Sequence, residues 1–386
     1  PETRTALLRD YVSRLSRGDS LEAVRQDFVK HFKSVDAAEI ARAEQDLIAG
    51  GTPVTEVQKL CDVHSALFHG ATREEQIANA EKAVQASAGA PAGASLARIP
   101  GHPVSVFTAG NQAIADRITA IRKSVSAGAD QSTLSEQLNA FRALTVHYAE
   151  KGDLLYPLLK SRYGVSGPAD VMWSVDDEIR EEMKILAEAG NKITHFQERL
   201  DKVLTRAEEM VYKESNILYP LCAQHFAEED WMRIYYELPD YDDELAAGRP
   251  VWKAAEERRA ELKAARTGSP APAAGRSSML PLGSGHMTQT QIEAVLNTIP
   301  MELTFIDDQN INRFFNAGTG KKLFKRPDDA VDRVVFSCHP PKYAAMAMQI
   351  INELRSGAKD SVDIWLNKRG EPVFVRYMAV RDKNGV

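Results

Sequence analysis

The sequence predicts a multidomain protein: an all-α N-terminal domain, an antiparallel four-helix bundle, and an α+β domain with an antiparallel sheet. Three observations lead there. The chain has 386 residues, more than one hydrophobic core usually organises. Apolar residues recur at helical spacing as far as about residue 237, first in short segments and then in long ones. Beyond a stretch dense in Ala, Gly, Ser and Pro, runs with the alternation of strands appear.

Composition narrows the class. With 44% hydrophobic and 26% charged residues, the chain reads as globular, and no run of 18 apolar residues offers a membrane span. A net charge of −6 gives no basic field for phosphate backbones or anionic lipid, so neither nucleic acid nor membrane is expected as a partner. The three cysteines, Cys61, Cys222 and Cys338, lie far apart, without a C-x-x-C pair or a secretory signal. That usage fits a reducing cytoplasm. The chain begins at Pro1 and stops at "RDKNGV", and both ends read as cut, the last strand included.

In chain order, residues 1–90 form a small helical domain with Ser20, Asp36 and Thr52 at N-cap positions and Pro53 at a first helical position. "SAGAPAGASLARIPG" connects it to residues 100–237, where helices are expected over 103–127, 131–162, 168–190 and 191–227. Short connections between four long helices imply antiparallel neighbours. A short helix at "AEEDWMRIYYE" closes one end. Residues 238–287 read as a helical extension and a flexible linker, "KAARTGSPAPAAGRSSMLPLGSGHM". In 288–386, strands are expected at "ELTFIDD", "NINRFFN", "DSVDIWLNKRG" and "PVFVRYMAVRD", with a helix at "PPKYAAMAMQIINELRSG".

One phrase occurs twice. "KGDLLYPLLK" at 151–160 returns as "ESNILYPLCA" at 214–223. Aligned on Pro157 and Pro220, His147 matches Met210, Lys151 matches Glu214, and Gly152 matches Ser215. Two helices with equivalent parts around one core would produce such a repeat, and a cofactor site between them is the sharper reading. Tyr148, Tyr156, Tyr212 and Tyr219 fall at helical spacings around it and are assigned to the core. His64, His195 and His225 are read as surface or capping residues.

These phrases, with "LIAGGTPVTEVQKLCDVHSALF", "IPGHPVSVF" and "FSCHPPKYAAMAMQIINELRSGAKDSVDIWL" in the same order, resemble bacterial proteins that join a helical domain of unknown function, a hemerythrin-like bundle and a PAS domain. The resemblance implies iron held by histidines and carboxylates on four helices. Carried over by position, it points to His102, His147, Asp176 and Glu214. The second-helix carboxylate is missing at Lys151 or Gly152, and Met210 stands in place of a fourth-helix His. The set suits one iron, manganese or zinc ion better than two, and a Lys151 cation facing it would neutralise the carboxylates. Against this stands a bundle without metal, His102 capping its helix and His147 packed in the core.

The similarity to PAS domains implies a pocket for haem, flavin or a metabolite. Cys338 and His339 are the candidate haem ligands; the competing assignment packs Cys338 as a small hydrophobe and lets His339 cap the following helix. The flavin-photosensor phrase Asn-Cys-Arg is absent. Trp365 and Phe374 are assigned to the sheet core or to a dimer surface, making a homo-oligomer through the PAS domain an expectation. With no kinase, receiver or helix-turn-helix motif, the reading is a cytoplasmic sensor or regulator, more a regulator than an enzyme, whose output passes to a protein partner. The alternatives are a non-haem iron protein handling oxygen, peroxide or nitric oxide, and a bundle that serves as a structural module.

Overall fold

The computed structural model describes residues 6–7, 10–11, 13–14, 17–31, 46–53, 56–57, 92–142, 144–189, 194–241, 249–268, 279–318, 323–324, 326, 330–368 and 371–381. The expectations at Asp36, Cys61 and His64 lie outside these residues. The chain divides into two compact units, Pro1–Glu256 and Glu257–Val386.

In the first unit, α1 (Leu21–His31) begins where expected, and the Ala23 N–H donates to Ser20 Oγ at 3.2 Å. A short helix, α2 (Ala92–Leu96), precedes the bundle. The bundle consists of α3 (Pro103–Ser126), a second arm of α4 (Gln131–Phe141), α5 (Leu144–Glu150) and α6 (Tyr156–Tyr163), then α7 (Gly167–Ala189) and an arm of α8 (Phe196–Lys213) and α9 (Tyr219–His225). Helix α3 packs on α4 and α8, and α7 on α4 and α8, closing the ring. Val104, Phe107, Ile114, Ile118 and Ile121 bury one stripe of α3; Leu200, Val203, Leu204, Ala207 and Met210 do the same for α8. Asp130 caps α4 by accepting the Thr133 N–H at 2.8 Å. After α6, Gly164 turns the chain at φ 69°, a left-handed conformation that glycine adopts without Cβ cost.

The repeated phrase breaks both long arms in the same way. Lys151–Leu155 and Glu214–Leu218 are π-helical turns, closed by the Tyr156 N–H on the Lys151 carbonyl and the Tyr219 N–H on the Glu214 carbonyl. Proline explains them. Pro157 and Pro220 have no N–H, and their rings would strike the carbonyl four residues back in an α-helix. A widened turn just before each proline removes that conflict.

Beyond α9, α10 (Glu228–Glu237) closes the bundle end, and α11 (Lys253–Gly268) comes next. The described residues of the second unit form three antiparallel strand pairs. These are β1 (Leu280–Leu282) with β2 (Gly285–Met287), β3 (Thr304–Ile306) with β4 (Asn312–Phe315), and β5 (Ser361–Lys368) with β6 (Glu371–Met378). Helix α12 (Gln289–Thr298) opens with a reciprocal cap between Thr288 and Gln291, and α13 (Pro341–Arg355) starts at the double proline. The first hairpin, turned by Gly283-Ser284, falls in the stretch read from composition as linker. Trp365 and Phe374 pair across β5 and β6 with ring centroids 4.9 Å apart, and at 71% and 44% exposure they are not sheet core.

Candidate functional site

The two π-turns face each other inside the bundle. Each presents its first residue, Lys151 or Glu214, to the other, and the Lys151 ammonium donates to Glu214 Oε1. It also donates to Asp176 Oδ1 of α7 at 3.1 Å and lies 4.1 Å from the centre of the Tyr148 ring. All of Lys151, Asp176 and Glu214 are fully buried. The second oxygen of each carboxylate is also taken. Tyr156 donates to Asp176 Oδ2 at 2.9 Å, and Tyr219 donates to Glu214 Oε2 at 2.8 Å. His147 Nε2 lies 2.7 Å from the same Glu214 oxygen.

Electrostatics separate the two acids. Burial dominates at Asp176 and holds its carboxyl above the ordinary range despite Lys151. Burial acts on Glu214 in the same sense, but the Lys151 ammonium and His147 together hold its carboxyl below the ordinary range. Burial beside these acids raises the phenols of Tyr148, Tyr156 and Tyr219, keeping them as donors.

Three of the four residues expected at a metal, His147, Asp176 and Glu214, are therefore brought together. His102 is not. Its Nδ1 accepts the Val104 N–H at 3.1 Å, capping α3, while its ring packs on Trp231 and Trp252 at centroid distances of 5.0 and 4.6 Å. Burial lowers its pKa to about 4. Gly152 does not face the cluster either: a Cβ there would lie 3.3 Å from Trp173 Nε1. The buried carboxylate beside Lys151, Glu150, instead takes Arg249 at 2.6 Å. Tyr156 and Tyr219, assigned to the core from sequence, donate to the acids, and their place in the repeated Leu-Tyr-Pro was the available signal.

In the second unit, Cys338 is exposed, and its Sγ lies 3.0 Å from the Val335 carbonyl. His339 Nδ1 bonds to that carbonyl at 2.8 Å, closing the 3-10 turn Val335–Cys338 and not capping α13. The groove along α13, lined by Ala345, Met348, Gln349 and Asn352, includes neither residue.

Fold and site together define a four-helix bundle of hemerythrin type followed by a small α+β unit. Residues 102–222 match the hemerythrin HHE cation binding domain, residues 292–386 a PAS domain, and residues 8–74 a family of unknown function, DUF438. The chain thus has the three-domain layout that its sequence resembles. No curated protein matches it. A C-terminal domain from Streptococcus mutans, solved as a crystal structure, is similar to it at 34% identity over 28% of this chain and 85% of that one, with a TM-score of 0.27. No helix among the described residues is long and apolar enough to cross a membrane.

The domain family binds cations, and the donors here do not fit one. The point on which Asp176 Oδ1 and Glu214 Oε1 converge is filled by the Lys151 ammonium. A divalent ion there would meet a like charge at contact distance, in surroundings that strengthen the repulsion. Among the described residues, no group of three or more His, Cys, Asp and Glu side chains is arranged to hold a metal.

Proposed function

We propose that this is a cytoplasmic sensor or regulatory protein whose hemerythrin-like bundle works as a metal-independent interaction module, while the PAS-like unit receives a small ligand. The observation that carries the reading is Lys151: its ammonium already fills the point between the two acids and pairs with both. The signal then reaches a protein partner by a ligand-dependent shift of population in the PAS-like unit. Of the two haem candidates Cys338 is exposed, while His339 bonds the Val335 carbonyl through Nδ1 and keeps Nε2 for a ligand.

The competing reading, one iron, manganese or zinc ion held by His147, Asp176 and Glu214, rests on the family match and on the convergence of those residues. It requires Lys151 to leave a position where it is fully buried. The two separate by thermal unfolding of the full chain with iron(II), manganese(II) or zinc(II) added after removal of chelators. A ligand that binds only the folded state raises Tm. An unchanged Tm supports the metal-independent module. A rise that grows with metal concentration overturns it.

A further inference from the structure

We propose that Tyr241 and Arg249 form a clasp that couples the first π-turn of the bundle to the seat of α11. The first turn of α11 stays docked while the π-turn is held, and the π-turn slackens when α11 is drawn off. The clasp lies outside the acid cluster and is additional to the metal-independent role of the bundle.

The seat is built by the chain that returns to the bundle end after α10. Leu238, Tyr241, Trp252 and Ala255 are all buried in the bundle core. Trp252 meets His102 edge-on with ring centroids 4.6 Å apart, and meets Tyr235 of α10 in the same way at 5.8 Å. Tyr236 donates to the Ala255 carbonyl at 2.6 Å, and Tyr235 donates to Glu256 Oε1 at 3.1 Å. Past this first turn, Glu257, Arg258, Arg259 and Ala260 are exposed. A helix seated on the bundle by one turn opens at that end without global unfolding.

The clasp joins this stretch to the first π-turn, Lys151–Leu155. Tyr241 donates to Asp153 Oδ2 at 2.9 Å. Arg249 donates to Glu150 Oε1 at 2.6 Å and also to the Leu238 carbonyl. Glu150 is buried and immediately precedes Lys151, while Asp153 lies within the turn. Residues 150–153 are therefore held twice, Lys151 by Asp176 and Glu214, its flanking acids by Tyr241 and Arg249. The repeat supplies the comparison. Aligned on the two prolines, Glu150 and Asp153 correspond to Lys213 and Asn216 of the second π-turn. Asn216 bonds back to the Tyr212 carbonyl of its own arm at 2.9 Å. A π-turn thus forms without these acids, and their place in the first one serves the clasp. Charge-assisted bonds at such an interruption of the helical ladder hold it closed. Coupling of this kind is reciprocal: what loosens either end loosens the other.

The test follows hydrogen exchange of the full chain without added metal, so that it succeeds or fails separately from the thermal test of the bundle. Two amides report. Tyr156 N–H closes the π-turn on the Lys151 carbonyl, and Glu256 N–H donates to the Trp252 carbonyl at 3.1 Å. Arg249→Met should speed exchange at Tyr156 by roughly 10–100-fold, the weight of a hydrogen bond to a charged group. Lys151→Met should speed exchange at Glu256, although Lys151 itself bonds to Asp176 and Glu214. Tyr241→Phe removes one hydroxyl and should act in the same sense more weakly, which keeps the test open if Arg249→Met does not fold. Arg199→Met, which breaks the pair with Glu182, should leave both amides as they are. Acceleration confined to the mutated side in either Arg249→Met or Lys151→Met overturns the coupling. So does the same acceleration at the Leu200–Ala207 amides of α8, which reports global unfolding, or its appearance in Arg199→Met.

Discussion

Replacing Gly110 by alanine sets two effects of opposite sign against each other. Gly110 lies inside α3, where alanine is favoured over glycine by about 1 kcal/mol. A Cβ there would, however, lie 2.8 Å from His147 Nδ1 and 3.2 Å from its Cε1. Carbon contacts settle near 3.5–4.0 Å, so the imidazole must retreat by several tenths of an ångström. His147 is 1% exposed and held at Glu214 by a 2.7 Å hydrogen bond. Loosening a hydrogen bond to a charged group costs about 1.5–3 kcal/mol, and overpacking a core costs about 1–3 kcal/mol. The clash therefore wins, and Gly110→Ala should destabilise the bundle by about 1–2 kcal/mol net of propensity. Urea unfolding followed by tryptophan fluorescence reads this as a lower midpoint at unchanged slope. Combined with His147→Ala, the same alanine should become neutral or stabilising. A stabilising Gly110→Ala in the native background would refute the placement of His147 against α3.

The same geometry sets three further outcomes. His102 titrates normally near 6.5 when unfolded and is held by burial at about 4 when folded. Its contribution is therefore complete above pH 6.5 and is lost as pH falls toward 4, by about 3 kcal/mol in all. His102→Asn keeps a capping oxygen and should flatten that part of the stability profile relative to the native chain; parallel profiles would count against it. Tyr156→Phe removes a donor to Asp176 at 2.9 Å and should cost about 1.5–3 kcal/mol, whereas Tyr148→Phe, which removes a hydroxyl without a partner among the described residues, should be near neutral. The reverse order in chemical denaturation would contradict the assigned network. Gly101→Ala should destabilise strongly, because φ is 77° and a Cβ would lie 2.5 Å from the Pro250 carbonyl oxygen; an unchanged midpoint would show that residues 250–252 do not pack there.

The layout was legible because helical spacing runs to about residue 237, in short and then in long segments, and gives way to strand alternation further on; the cluster was legible because proline dictates a local response. Pro157 and Pro220 force the same turn twice, so aligning on them pairs Lys151 with Glu214 from the sequence alone. The sequence-level view of Lys151 as a cation facing the acids agrees with its hydrogen bonds to both. The placement of Gly152 went the other way. The resemblance offered Lys151 or Gly152 for the second-helix carboxylate, and Gly152 faces Trp173 while Lys151 is the one turned toward the acids. That His102 caps α3 was the competing reading of the sequence, and the cap is present; the packing of its ring was beyond local inference. Its surroundings, Trp231 and Trp252, lie more than a hundred residues away and meet it only through tertiary packing. The β1–β2 hairpin, short and exposed, has no periodic apolar face to announce it, and Gly283-Ser284 was its one signal.

The account turns on the Lys151 ammonium and the Glu214 carboxylate acting as one neutral unit in the bundle core. A double-mutant cycle measures that directly, with Lys151→Met, Glu214→Gln and the pair unfolded in urea without added metal. Breaking a buried ion pair from one side strands the other charge and costs about 3–5 kcal/mol. Each single variant should fall in that range, and the double variant should lose less than their sum by about 2 kcal/mol or more. Single losses that simply add, to within about 0.5 kcal/mol, would contradict the claim that Lys151 supplies the cation of this bundle.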